Sequence, residues 1–181
     1  MKIKFIRHAE KEEIGEDPYL TKRGIEQAEH LAKRLSKEKF DEFYCSNLKR
    51  AKQTAGIISK KIKMKPKIEN SLNEFRTKTM RESKNKWGKE EKGHYNKLKF
   101  FLKSISKNPK RDKSILIVAH GFTNRIILCH FLKLTLKPTL PFVQSESGIN
   151  SVYWVGRFKN WRLQTWNDDN HVPKELKVSR H

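Results

Sequence analysis

Ile3-Lys4-Phe5-Ile6-Arg7-His8-Ala9-Glu10 begins as an apolar run almost at the N-terminus and stops at two polar side chains able to do chemistry. It reads as a buried strand that delivers Arg7 and His8 to its carboxyl end. Open α/β sheets place their ligands there. A second run, Ser114-Ile115-Leu116-Ile117-Val118-Ala119-His120-Gly121, is apolar on both faces, needs cover on each side and so belongs in mid-sheet. It ends at His120-Gly121, much as the first ends at Arg7-His8.

Between these strands the apolar period changes to that of helices. Leu20 to Gly24 opens one helix, with Thr21 as N-cap and Ile25, Ala28, Leu31, Ala32 and Leu35 as its inner face. Phe40 to Cys45 reads as a short strand. Ser46-Asn47 supplies capping residues for a helix with Ala51, Ala55, Ile58 and Ile62 inward and Arg50 in its first turn. Lys67-Ile68-Glu69 is a brief edge strand. The polar stretch from Arg76 to Gly93 reads as an excursion above the sheet, able to act as a lid. Helical spacing returns from Tyr95 to Lys107 and again from Thr123 to Leu132, and Ser151–Val155 with Trp161–Trp166 form a C-terminal hairpin. The expected fold is therefore α/β: a three-layer sandwich with a mostly parallel, doubly wound sheet, helices on both faces and a terminal β-hairpin. No repeat or linker divides the chain, so residues 1–181 are expected to form one domain.

Composition narrows the chemistry. Lys and Arg number 41 against 20 Asp and Glu, a formal charge of +21 that favours an anionic partner. Thirty of the 41 are Lys, the solvated point charge rather than the bidentate fork. Cys45 and Cys129 lie in apolar stretches without metal-site spacing, which predicts reduced, packed thiols and a cytoplasmic location. No uncharged run is long enough to cross a bilayer, so the chain is expected to be soluble and unprocessed, with no membrane partner.

If the strand ends converge, Arg7, His8, Arg50 and His120 meet without an acidic counter-charge, and such a cluster is built for a dianion, most simply a phosphoryl group. His8-Ala9-Glu10 also fits half of a zinc deaminase motif, but the Pro-Cys-x-x-Cys half is absent. Charge alone admits a nucleic-acid-binding module with Trp87, Tyr95 and Trp161 as stacking rings, although those rings read more simply as core or lid anchors.

The motifs resemble those of the histidine phosphatase superfamily, in its phosphoglycerate mutase-like branch. Arg7-His8-Ala9-Glu10 is similar to its Arg-His-Gly signature, with Ala9 where Gly is usual and Lys11 where many members carry Thr. Ser46-Asn47-Leu48-Lys49-Arg50-Ala51-Lys52-Gln53-Thr54-Ala55 resembles its Ser-x-Leu-x-Arg-Ala-x-Gln-Thr-Ala motif, Leu72-Asn73-Glu74 its Leu-x-Glu element, and Val118-Ala119-His120-Gly121 its final His-Gly element. A branch with Asp directly after the second His is excluded by Gly121. The resemblance implies a metal-independent phosphomonoesterase that needs no cofactor and acts on a phosphorylated small molecule. His8 would form a phosphohistidine, Arg7, Arg50 and His120 would hold the phosphoryl oxygens beside Gly121, and Glu74 would serve as acid, with Glu10, Asp17 and Glu146 as rivals. A mutase is the alternative, but the short 76–93 insertion favours hydrolysis.

Overall fold

The computed structural model describes residues 1–75, 87–107, 109, 112–136 and 142–178. In chain order these form β1 (Lys2–Arg7), α1 (Lys22–Leu35), β2 (Glu42–Cys45), α2 (Lys49–Ile62), β3 (Lys67–Ile68), α3 (Lys89–Ser106), β4 (Ser114–Ala119), α4 (Gly121–Leu132), β5 (Ile149–Val155) and β6 (Asn160–Asp168). The sheet runs β3-β2-β4-β1-β5-β6. Its first four strands are parallel and the β5–β6 hairpin is antiparallel. This is the expected doubly wound arrangement, with β4 in the middle.

Side-chain alternation along the strands builds two cores. Ile3, Phe5, Ile115, Ile117 and Ala119 face one way and pack with Leu98, Phe101 and Leu102 of α3 and Phe122, Ile126 and Ile127 of α4. Ile6, Leu116, Val118 and Phe43 face the other way, onto Leu31 and Leu35 of α1 and Ala51, Ala55 and Ile58 of α2. The continuous apolar run of β4 exists because both faces of that strand are covered. Lys4 lies on the α1/α2 face and is nevertheless buried, because its Nζ reaches Glu38 Oε1 at 2.6 Å.

Thr21 caps α1, its Oγ1 accepting the Gly24 N–H at 2.8 Å. Three local expectations change. Ile25 is exposed, and its place on the inner face of α1 is taken by the fully buried Gln27. α2 is not capped by Ser46 or Asn47: its N-cap is Leu48, with no side-chain bond, and Asp17 accepts the Lys49 N–H instead. The last residues of the excursion expected over 76–93 belong to the packed fold instead. Residues 76–86 lie outside the described set, but Trp87 is buried against Phe75 and α3 has begun by Lys89. Glu90 and Glu91 in the first turn favour that start through the helix dipole, a signal that the absence of apolar residues obscured.

Trp87 and Trp161 also prove to be packing rings. Trp87 sits against Phe75 and Tyr95, and Trp161 against Phe131 and Trp154. Cys45 and Cys129 are free and buried, and burial pushes both thiols up to about 11. No described helix is long and apolar enough to cross a membrane.

Candidate active site

Strand register assembles the site. β1 and β4 pair in parallel with Arg7 opposite Ala119, so the next residues, His8 and His120, leave the sheet side by side. β2 and β4 pair with Cys45 opposite Val118, which brings Ser46 level with Ala119. The His8 N–H donates to the Ala119 carbonyl and the Ser46 N–H to that of Val118, each at 3.0 Å. The two imidazoles stand edge to face with ring centres 5.0 Å apart.

The buried His8 ring has one defined tautomer. Its Nδ1 lies 2.7 Å from the Ala9 carbonyl, which can only accept, so Nδ1 carries the proton and Nε2 is bare. Nε2 accepts from Arg50 Nε at 3.1 Å. Burial and the nearby Arg7 guanidinium hold its pKa well below the ordinary histidine value, so the ring is neutral at neutral pH. His120 is likewise held low, by burial and then by His8, Arg50 and Arg7.

The turn carrying His8 is clamped by side chains of both flanking helices. Thr54 Oγ1 of α2 accepts the Ala9 N–H at 3.1 Å, Gln27 Oε1 of α1 accepts the Glu10 N–H at 2.9 Å, and Gln53 Oε1 accepts the Leu20 N–H at 2.7 Å. The methyl of Ala9, where glycine is usual in the family, packs in a small cluster with Leu20 and Ala28. The steric demand for glycine falls instead on Gly24, where an added Cβ would run into the Glu10 carbonyl oxygen. Gly24→Ala is therefore expected to destabilise the fold by about 1–3 kcal/mol, the usual cost of overpacking, and to displace the His8 turn. Thermal melts check the first effect and amide hydrogen exchange around His8 the second. Gly121 carries no such demand: a Cβ there would meet Arg7 Nε at 3.7 Å, an ordinary contact, so its turn does not require glycine.

The expected absence of acidic counter-charge is corrected. Arg7 Nη2 pairs with Glu146 Oε1 at 2.7 Å and Arg50 Nη1 with Asp17 Oδ1 at 3.4 Å. Paired carboxylates offset the cost of gathering these cations away from water. Glu10, another rival acid, is bound by Arg23 and Thr21, and Arg23 pulls its carboxyl below the usual range. Glu74 differs from all three. Its Oε1 accepts the Thr123 N–H at 3.3 Å in the first turn of α4, and burial pushes its pKa up.

Polar residues that the motifs did not single out hold these groups. Gln144 is almost fully buried: its carbonyl accepts Arg7 Nη1 at 2.6 Å, its Nε2 donates to the Gly121 carbonyl, and its Oε1 accepts from Asn124 and Asn150. The available signal was the presence of amides beside apolar runs, as with Gln27 in the inner face of α1. Among the described residues no group of three or more His, Cys, Asp or Glu could hold a metal ion.

The α/β fold thus gathers two imidazoles and two guanidiniums at the carboxyl edge of its parallel strands. The family model described as the histidine phosphatase superfamily (branch 1) matches residues 3–99 and 78–169, and the chain belongs to that superfamily. A probable 2-carboxy-D-arabinitol-1-phosphatase of Arabidopsis thaliana is 30% identical over 159 residues, covering 76% of this chain and 33% of that protein. The chain thus spans about a third of the length of this curated relative. Among solved structures, the fold matches phosphoserine phosphatase from Entamoeba histolytica with a TM-score of 0.76 at 22% identity, covering 95% of this chain and 99% of that one. It matches the α-ribazole phosphatase of Shigella flexneri with a TM-score of 0.75 at 22% identity, over 93% and 97% of the two chains.

Proposed function

We propose that this protein hydrolyses phosphate monoesters of small molecules through a phosphohistidine on His8. The observation that carries this reading is the fixed tautomer of His8: a neutral ring whose bare Nε2 faces Arg50 and lies beside His120. Nε2 attacks phosphorus as the ester P–O bond breaks, and Glu74 gives its proton to the departing oxygen, releasing the alcohol. Glu74, now a carboxylate, takes a proton from water as that water attacks the phosphohistidine. Inorganic phosphate leaves, and both His8 and Glu74 return to their starting states. Arg7, Arg50 and His120 hold the non-bridging oxygens, the electrostatic part on which phosphoryl transfer chiefly depends.

Glu74 is assigned the acid because burial raises its pKa and, among the described residues, no salt bridge joins it to an arginine, whereas Glu10, Asp17 and Glu146 each neutralise one. A screen of phosphorylated metabolites with the purified chain, measuring released phosphate, tests the reading and finds the substrate. The expected result is metal-chelator-resistant release from one or a few small esters. Transfer of the phosphoryl group to a second organic hydroxyl, with no free phosphate, would make the protein a mutase. No turnover of any ester would refute the proposal.

A further inference from the structure

We propose that Ser46 and Asn73 fix the ring of His120 so that it can grip a phosphoryl group only as an imidazolium, and that binding of a dianion therefore takes up one proton. The inference deepens the phosphatase reading and rests on it.

It follows from counting hydrogens around one hydroxyl. The Asn47 N–H donates to Asn73 Oδ1 at 2.9 Å, which identifies that atom as the amide oxygen. Ser46 Oγ lies 2.9 Å from the same oxygen and must spend its single proton there. The hydroxyl can then only accept from its other neighbours, and it does so from the Leu48 N–H at 3.2 Å. His120 Nε2, 2.7 Å from Ser46 Oγ, must accordingly carry a hydrogen. In a neutral imidazole the other nitrogen, Nδ1, is then bare. His120 is fully buried, and its Nδ1 has no hydrogen-bond partner among the described residues.

The two histidines are thus set in opposite tautomers. His8 has its proton on Nδ1 and a bare Nε2, as a nucleophile needs. His120 has its proton on Nε2, already given to Ser46, which leaves buried Nδ1 with only a lone pair for any phosphoryl oxygen that reaches it. Such an oxygen repels a lone pair, and a second proton on Nδ1 turns the contact into a charge-assisted donor. The groups around the ring explain why the proton arrives with the anion. Burial first, and then His8, Arg50 of α2, Arg7 of β1 and His94 of α3, disfavour a cation at His120 in the empty site. On the acidic side, Glu74 Oε1 accepts the Thr123 N–H in the first turn of α4, the helix that His120 precedes. A bound dianion reverses that balance. Ser46 is in this account a positioning residue, acting through the ring it orients.

Tungstate, a phosphate-like dianion that does not itself titrate near neutrality, is the probe. Calorimetric titration of the purified chain in buffers of different ionisation heat, between about pH 6 and 9, reads proton uptake directly. The expected result is uptake approaching one proton per tungstate above neutrality, with affinity falling about tenfold per pH unit, the linkage slope for one proton. Ser46→Ala frees the ring to hold its single proton on Nδ1, so uptake and slope should collapse, whereas Ser46→Thr should keep both. If Ser46→Ala does not fold, imidazole ¹⁵N shifts of the unliganded wild type give the tautomer alone, with Nε2 protonated and Nδ1 bare expected. Tight tungstate binding without proton uptake, an unchanged slope in Ser46→Ala, or the opposite tautomer would overturn the proposal while leaving the phosphatase reading in place. Absence of tungstate binding would overturn both.

Discussion

His8→Ala is expected to lower kcat for ester hydrolysis by roughly 10⁴–10⁶-fold, the scale on which removing the nucleophile disables a catalytic unit. The loss should fall on kcat rather than on binding. His8 is neutral and contributes no charge to the anion pocket, whereas Arg7 and Arg50 remain. Inorganic phosphate is thus expected to bind the variant within a few-fold of the wild-type affinity, and calorimetry alongside phosphate-release assays separates the two effects. The substitution removes the acceptor of Arg50 Nε, so a small loss of thermal stability should accompany it. An alanine variant that still hydrolyses esters at more than a hundredth of the wild-type rate would show that the group attacking phosphorus lies elsewhere.

Glu74→Gln carries the second largest effect, a fall in kcat of about 10²–10⁴-fold, the usual contribution of a positioned acid or base. The amide keeps a carbonyl oxygen for the Thr123 N–H, so the start of α4 and the overall stability should be preserved. The penalty depends on the leaving group. Alkyl phosphates, whose alkoxide needs a proton as it departs, should suffer fully, whereas aryl phosphates with acidic phenols should suffer less in the first step. The pH profile gives an independent check. Burial raises the pKa of Glu74 and so keeps the carboxyl protonated further up the pH scale. In the wild type kcat should fall as pH rises through that value, and in Glu74→Gln this limb should vanish. Equal losses for alkyl and aryl esters, with the limb intact, would transfer the role to another carboxylate.

The parts of this site that could be read from the chain are those tied to strand ends. Arg7-His8 and His120 follow apolar runs that can only be buried strands, and parallel pairing in register leaves no other place for them than one edge of the sheet. Arg50 was legible because its helix begins immediately after β2. The counter-ions were not. Asp17 reaches Arg50 from a loop and Glu146 reaches Arg7 across more than a hundred residues, and neither contact leaves a period in the sequence. Ser46 looked like a helix cap because serine commonly is one. Its hydroxyl is claimed instead by His120 and Asn73, a tertiary contact that overrides local preference. The early start of α3 escaped for a related reason, since Lys89 to Gly93 holds no apolar residue to mark a helical face.

The most direct test of the account is a crystal structure with tungstate, located by the anomalous signal of tungsten. The account predicts one strong site, with an oxyanion within hydrogen-bonding reach of Arg7, Arg50 and His120 and the metal atom in line with Nε2 of His8. A tungstate bound anywhere else, with the space between His8 and His120 left unoccupied by it, would contradict it.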